Sequence, residues 1–218
     1  MSHRKQFTAI FISLAAVALC WALRSTNTGA NAAPNPEARQ EIARLAELMQ
    51  WKPGTVVADI GAGDGSYSFE AAKIVGSSGR VYATEIDSAK LKELRADAAK
   101  RKLANVVVVE GAAGDTKLPS DCCDAIFLRH VYHHITQPQE FDQNLLRSLK
   151  PGARLAIIDF PPNNDYGPVA GVPANRGGHG IPQKILVEEL TTAGLRVEKT
   201  VDHWSGNDYC VIFVKPSQ

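Results

Sequence analysis

One stretch constrains this chain more than any other: Val56-Val57-Ala58-Asp59-Ile60-Gly61-Ala62-Gly63-Asp64-Gly65-Ser66. A short apolar run rich in β-branched residues reads as a buried strand. It ends at an acid, Asp59, and breaks into three glycines at alternate positions. Tyr67 to Val75 then reads as a helix. Glycine lacks a Cβ, so the turn can take positive φ and let a ligand lie against the backbone. The N-terminus of the following helix offers free N–H groups to a polar or anionic group. Strand, glycine turn and helix together point to an α/β domain with a ligand at the strand's carboxyl end.

The glycine spacing separates two cofactor classes. The dinucleotide fingerprint G-x-G-x-x-G puts its third glycine five positions after the first. Here that position is Ser66, and the third glycine is Gly65. Asp59-Ile60-Gly61-Ala62-Gly63-Asp64-Gly65 instead resembles the first motif of the class I S-adenosylmethionine-dependent methyltransferases, in which the loop passes beneath the methionine part of the cofactor. The second strand, Arg80 to Glu85, ends in Glu85-Ile86-Asp87. Glu85 lies about 20 residues past the loop, where a carboxylate can accept both ribose hydroxyls. It resembles the family's second motif. A glycine turn without a ligand and a solvated strand-end acid are the plainer alternatives. The third strand, Asn105 to Glu110, leads into Gly111-Ala112-Ala113-Gly114-Asp115. The family's adenine-contacting acid falls on Ala112, and Asp115 comes three residues later.

The fourth strand, Asp124 to Leu128, runs into Arg129-His130-Val131-Tyr132-His133-His134-Ile135. In the family, the residue just after this strand faces the transferred methyl group, and His130 matches it. His133-His134 resembles a histidine found a few residues on. Imidazoles can take a proton near neutral pH. His130 is the first candidate catalytic residue and His133 the reserve. The plainer alternative has His134 packed inside and His133 facing solvent. A zinc site from His130, His133 and His134 lacks an evident fourth ligand, and no metal is expected.

The resemblance covers about Glu37 to Lys215. It implies a three-layer, Rossmann-like α/β fold with a seven-stranded, mostly parallel sheet. The strand order is 3-2-1-4-5-7-6, with strand 7 antiparallel. It implies S-adenosylmethionine as cofactor, contacted by Asp59, Gly61, Ala62, Gly63, Asp64, Gly65, Glu85, Ile86, Ala112 and His130. It also implies methyl transfer to a small-molecule acceptor, as in the quinone and arsenite methyltransferases. The arsenite branch uses well-separated cysteines, whereas Cys122 and Cys123 are adjacent and precede the fourth strand, so arsenite is not the first choice. The acceptor atom is not legible. Two rivals are a non-catalytic binding module at the cell envelope and a nicotinamide-dependent oxidoreductase, the latter disfavoured by Ser66.

The remaining segments follow from pattern. Glu37 to Gln50 reads as an amphipathic helix that either covers the cleft or only packs on the sheet. Ser88 reads as the N-cap of a helix to Arg101. Phe141 to Leu149 is helical, and Lys150-Pro151-Gly152 turns into a fifth strand, Ala153 to Asp159. Asp159 is a strand-end acid that could orient substrate, act as a base or serve structure alone. Phe160 to Ile181 is rich in Pro, Gly and Asn and has no period; a loop this long is a candidate substrate-side lid. A helix over Pro182 to Ala193 and two strands, Leu195 to Val201 and Tyr209 to Lys215, complete the domain.

Residues 1–33 stand apart from residues 34–218. His3-Arg4-Lys5, the apolar run Phe7 to Leu23 and Ala30-Asn31-Ala32 have the layout of a signal peptide cleaved after Ala32. An uncleaved membrane anchor through residues 7–23 is the rival, and either one implies an exported or anchored protein. The formal net charge of +1 and the lack of a basic block past the first residues give no electrostatic footprint for nucleic acid.

Overall fold

The computed structural model describes residues 35–217, which form one compact unit. The signal or anchor expected over residues 1–33 lies outside the described residues. Among the described residues, no helix is long and apolar enough to cross a membrane.

Helix α1 (Pro36–Leu48) opens the domain. Asn35 caps it, its Oδ1 accepting from the N–H groups of Glu37 and Ala38 at 3.1 and 3.2 Å, and Pro36 holds the first helical position. Strand β1 (Val56–Ile60), α2 (Ser66–Val75), β2 (Arg80–Glu85), α3 (Ser88–Lys100) and β3 (Val106–Glu110) follow in alternation, and β4 (Cys123–Arg129) comes next with no helix between it and β3. The N-cap of α3 is Asp87, one residue earlier than expected, because its carboxylate receives Ala89 N–H at 2.8 Å and Lys90 N–H at 3.0 Å. Next come α4 (Pro138–Ser148), β5 (Leu149–Asp159), α5 (Gln183–Thr192), β6 (Arg196–Val201) and β7 (Tyr209–Val214). Lys150-Pro151-Gly152 belongs to β5 rather than to a preceding turn.

The seven strands form one sheet in the order β3-β2-β1-β4-β5-β7-β6. β7 runs antiparallel to both β5 and β6, and the other neighbouring pairs are parallel. This is the expected topology. Strand residues alternate between two apolar layers. Val57, Ala125, Phe127, Ala156 and Ile158 pack with Ile42 and Leu45 of α1 and Ala71, Ala72 and Val75 of α2. Ala58, Ile126, Leu128, Leu155 and Ile157 pack with Phe141 and Leu145 of α4 and Leu186 and Leu190 of α5. The central strands are buried on both faces, which is why they read as continuous apolar runs. The parallel strands β1, β2 and β4 therefore end together at one edge, where the sheet reverses its winding between β1 and β4.

Cys122 and Cys123 are joined in a disulfide between adjacent residues at the start of β4, the far end of that strand from His130. Cys210 is buried and free.

Candidate cofactor and acceptor site

The carboxyl ends of β1, β2 and β4 open on a cavity of about 490 Å³, within the size range of small-molecule and cofactor sites. Gly61, Gly63, Glu85, Ile86, Ala112 and His130 line it, together with His134. These come from four separate stretches of sequence that share only their place at the strand ends.

The three glycines have different jobs. A Cβ on Gly61 would stand 2.6 Å from Val131 Cγ2, and one on Gly65 would collide with Leu94 Cδ1. Those two glycines let the chain pack. Gly63, at φ +56°, has nothing within 4 Å of where its Cβ would be, so that space belongs to the cavity. Gly63 is therefore the one of the three with open space beside it. Gly65 holds the N-cap position of α2 in the left-handed conformation, and its carbonyl accepts Phe69 N–H at 2.8 Å.

Glu85 is buried and already engaged. Its Oε2 accepts Gly63 N–H at 3.0 Å, while Oε1 accepts the N–H groups of Ile86 and Asp87 at 2.7 and 3.1 Å. A carboxylate has about four lone-pair sites. About one remains open to a further donor. Through the others, Glu85 ties the glycine loop to the end of β2. Ile86 is 63 % exposed and offers an apolar face at the cavity mouth, beside Ala112.

Besides Gly65, three motif residues do not line this cavity. Asp59 is buried under the loop and accepts the Ser68 hydroxyl at 2.6 Å; burial raises its pKa to about 7. Ala62 is buried, and its N–H donates to Thr84 O at 2.8 Å, stitching the loop to β2. Asp64 is exposed and accepts Ser66 N–H at 2.9 Å. All three shape the loop. Asp115 turns back on its own segment, exchanging backbone hydrogen bonds with Ala112 and pairing with Lys117.

The histidines divide unexpectedly. His130 lines the cavity at φ +55°, and its N–H donates to Ile158 O at 2.9 Å. Its Nε2 lies 2.7 Å from Asp208 Oδ2 and its Nδ1 lies 3.3 Å from Arg129 Nη1. Both ring nitrogens therefore have partners, and His130 is held in place beside the cavity. Arg129 is itself gripped by Glu41 at 2.8 Å and Glu37 at 2.9 Å. Thus α1 packs on α2 and holds an arginine at the cavity's edge.

His133 is buried and His134 exposed, the reverse of the plainer expectation. They sit in a 3-10 turn, Tyr132–His134, that follows β4. Asp159, at the end of β5, holds His133 twice, accepting its backbone N–H at 3.1 Å and lying 2.8 Å from Nδ1. Phe160, His134 and His179 surround the ring, with centroids 4.9, 4.0 and 4.9 Å away. Burial, with His133 and His179 adding to it, lowers the pKa of His134. His179 comes from the long loop, which carries two 3-10 turns, Asn164–Tyr166 and Ala174–Arg176. That loop is anchored by Arg176, fully buried, which donates to Ile135 O at 2.5 Å and to Tyr132 O at 3.2 Å and pairs with Glu189 at 3.1 Å.

Sequence reasoning left Asp159 ambiguous and did not connect His179 or Asp208 to the histidines. A signal existed for Asp159. β4 and β5 are neighbours in the implied order, so the end of one strand must face the residues that follow the other. No spacing signal pointed to Asp208 or His179, which arrive from connections of irregular shape.

A doubly wound sheet with a glycine cradle, an acid-tied loop and a cavity at the switch point defines an α/β domain of the nucleotide-cofactor-binding class. A methyltransferase domain model matches residues 51–176, and the chain belongs to that family. A 2-phytyl-1,4-naphtoquinone methyltransferase of Synechococcus elongatus is 36% identical over 121 residues, covering 54% of this chain and 50% of the relative. A ubiquinone/menaquinone biosynthesis C-methyltransferase of Azotobacter vinelandii is 32% identical over 115 residues, covering 52% and 46%. The chain thus matches only about half the length of these curated relatives. A solved SAM-dependent methyltransferase from Aquifex aeolicus superposes with a TM-score of 0.69 at 28% identity, over 82% of this chain and 93% of that one.

Proposed function

We propose that this protein transfers a methyl group from S-adenosylmethionine to a small-molecule acceptor. One observation carries the reading: Gly63 leaves open the space its Cβ would fill, and its N–H is held by a strand-end carboxylate, Glu85, on the same cavity. The residues present fit the cofactor. Gly61 and Gly63 form the floor for its amino-acid arm, Glu85 keeps one acceptor site for a ribose hydroxyl, and Ile86 and Ala112 flank the place for a flat base. Bound there, the cofactor supplies an electrophilic methyl on a sulfonium. The protein's part is alignment and exclusion of water.

The acceptor side is the aromatic and imidazole wall made by Phe160, His179, Tyr166 and His134. Tyr166 is 70% exposed, and its ring centroid lies 5.2 Å from that of His179. Flat aromatic acceptors suit such a wall. The Synechococcus relative, a 2-phytyl-1,4-naphtoquinone methyltransferase, and the Azotobacter relative, a ubiquinone/menaquinone biosynthesis C-methyltransferase, support a quinol-like acceptor. For residues 1–33 the proposal is export or anchoring, supported by the basic start, the apolar run and Ala30-Asn31-Ala32. Mass spectrometry of the N-terminus after cell fractionation tests it; a cytoplasmic chain keeping Met1 would refute it.

The test of the main reading is calorimetric titration of the protein with S-adenosylhomocysteine, followed by transfer of a labelled methyl group to a panel of phenols, quinols, thiols and amines. One cofactor site per chain is the expected result. A folded protein that takes up no S-adenosylhomocysteine overturns the reading.

A further inference from the structure

We propose that His133, His134 and His179 form a binding site for a divalent transition-metal ion of the zinc class, placed at the acceptor side of the cofactor cavity. Their available ring nitrogens all lie within 4.8 Å of one another. The second observation is independent of that clustering. His133 is 2% exposed in its side chain, and its Nε2 is a buried polar atom with no hydrogen-bond partner. A buried imidazole nitrogen without a partner is costly unless something accepts its lone pair or its proton. Asp159 fixes which of these applies. It holds Nδ1 at 2.8 Å, which sets the proton there and turns the Nε2 lone pair toward the other two rings. A carboxylate behind a ligating histidine is the usual outer partner that fixes tautomer and orientation.

The local backbone brings the third ligand in. Ile181 N–H donates to Phe160 O at 2.9 Å and Asn163 N–H to His179 O at 2.7 Å, a short bracket that folds the loop back on itself. Gly178 and Gly180 flank His179 at φ +97° and +89°, and a Cβ on Gly180 would stand 2.7 Å from Pro161 O. The tight turn thus requires glycine at that position and lays His179 over His133. Zinc–imidazole bonds of about 2.0–2.1 Å require the three nitrogens to close to within about 3–4 Å of one another. His133 is the fixed member. His134 is exposed and His179 half-buried, and no side-chain hydrogen bond among the described residues holds either ring, so both can make that approach. Imidazole nitrogen suits zinc and its neighbours, and three protein ligands leave an open position for an exogenous oxygen or thiol. His134 also lines the cofactor cavity, so that open position borders the space of the transferred methyl. The role at the acceptor side rests on the methyl-transfer reading; the metal site itself does not.

The experiment uses the full chain stripped with a chelator. Co²⁺ is titrated in and read by its visible ligand-field bands, and Zn²⁺ is measured by competition with Co²⁺. The expected result is one ion per chain. His179→Ala and His134→Ala should each abolish the tetrahedral Co²⁺ bands, and Asp159→Asn should weaken affinity about 10–100-fold. His203→Ala, at an exposed histidine of the β6–β7 connection, should leave binding unchanged. S-adenosylhomocysteine titration of the metal-free protein runs alongside. Cofactor binding without stoichiometric Co²⁺ overturns the metal site and spares the methyl-transfer reading. Co²⁺ binding without cofactor binding does the converse. Metal binding that survives His179→Ala, or that is lost equally in His203→Ala, places the ion elsewhere and overturns the proposal.

Discussion

Removing the Glu85 carboxylate should strike the cofactor site and the glycine loop at once, and the structure lets the two effects be separated. Glu85→Ala deletes acceptors for three backbone N–H groups, those of Gly63, Ile86 and Asp87. Ile86 and Asp87 are exposed, so water takes over their N–H groups at small cost. Gly63 N–H sits at the cavity, where replacement is less complete. The stability loss should be about 1–2 kcal/mol, at the low end for lost hydrogen bonds to a charged group. In a domain of this size that is a fall in Tm of about 2–8 °C. Cofactor affinity loses more. The remaining lone-pair site of Glu85 disappears, worth about 1.5–3 kcal/mol, and the loop is no longer held in register. The expected loss is therefore about 10–200-fold in Kd for S-adenosylhomocysteine. Glu85→Gln should rescue little, because its amide NH₂ would face N–H donors. Calorimetric titration gives the affinity and a thermal melt gives the stability. A folded Glu85→Ala protein that binds S-adenosylhomocysteine like the parent would refute the assignment of this acid to the site.

Three further outcomes follow from the geometry. Gly63→Val should cost some stability, a β-branched residue being strained at φ +56°, and block cofactor titration, whereas Gly65→Val should lower Tm further because its side chain also meets Leu94 and Phe69; normal titration by a folded Gly63→Val would move the ligand elsewhere. Burial raises the pKa of Asp142 from 3.8 to about 7, so the folded state holds this proton longer than the unfolded one, and stability contributed by Asp142 falls as pH rises from about 4 to about 7. Asp142→Asn should flatten that fall by about 2–4 kcal/mol, read from urea melts at pH 4.5 and 8; parallel pH profiles in parent and variant would refute it. With an acceptor in hand, His130→Ala and Asp208→Ala should each slow turnover about tenfold and leave S-adenosylhomocysteine affinity unchanged, since Asp208 acts by holding the ring. A loss of 10²-fold or more in His130→Ala alone would show that the ring acts as a free base after all.

The parts of the fold legible in the sequence were those set by local rules. The buried strands announced themselves because residues such as Phe127 and Ile126 point to opposite apolar layers, leaving no polar face. The glycine loop was legible because three positive-φ positions in five residues admit few other residue types. What local rules did not show was which glycine faces open space. Gly61 and Gly63 look alike in sequence, and only the approach of Val131 to Gly61 separates them. The partners of the histidines were illegible for a related reason. His130 has the position expected of a reactive group, but Asp208, from a distant connection, occupies its Nε2. His133 reads as a loop residue, yet Asp159 draws it inside.

Arg176 has one last consequence. The long loop is fastened at both ends: by the bracket at Phe160 and Ile181, and by a guanidinium sunk beneath the surface and bonded to the carbonyls of Tyr132 and Ile135. A strap riveted at two points bows in its middle; it does not swing like a gate. Between those rivets the chain carries Tyr166, 70% exposed, on the outer side of His179. A change in the length of that span would then be felt at Tyr166 and His179, while the glycine floor at Gly61 and Gly63, on the far side of β4, keeps its own hydrogen bonds.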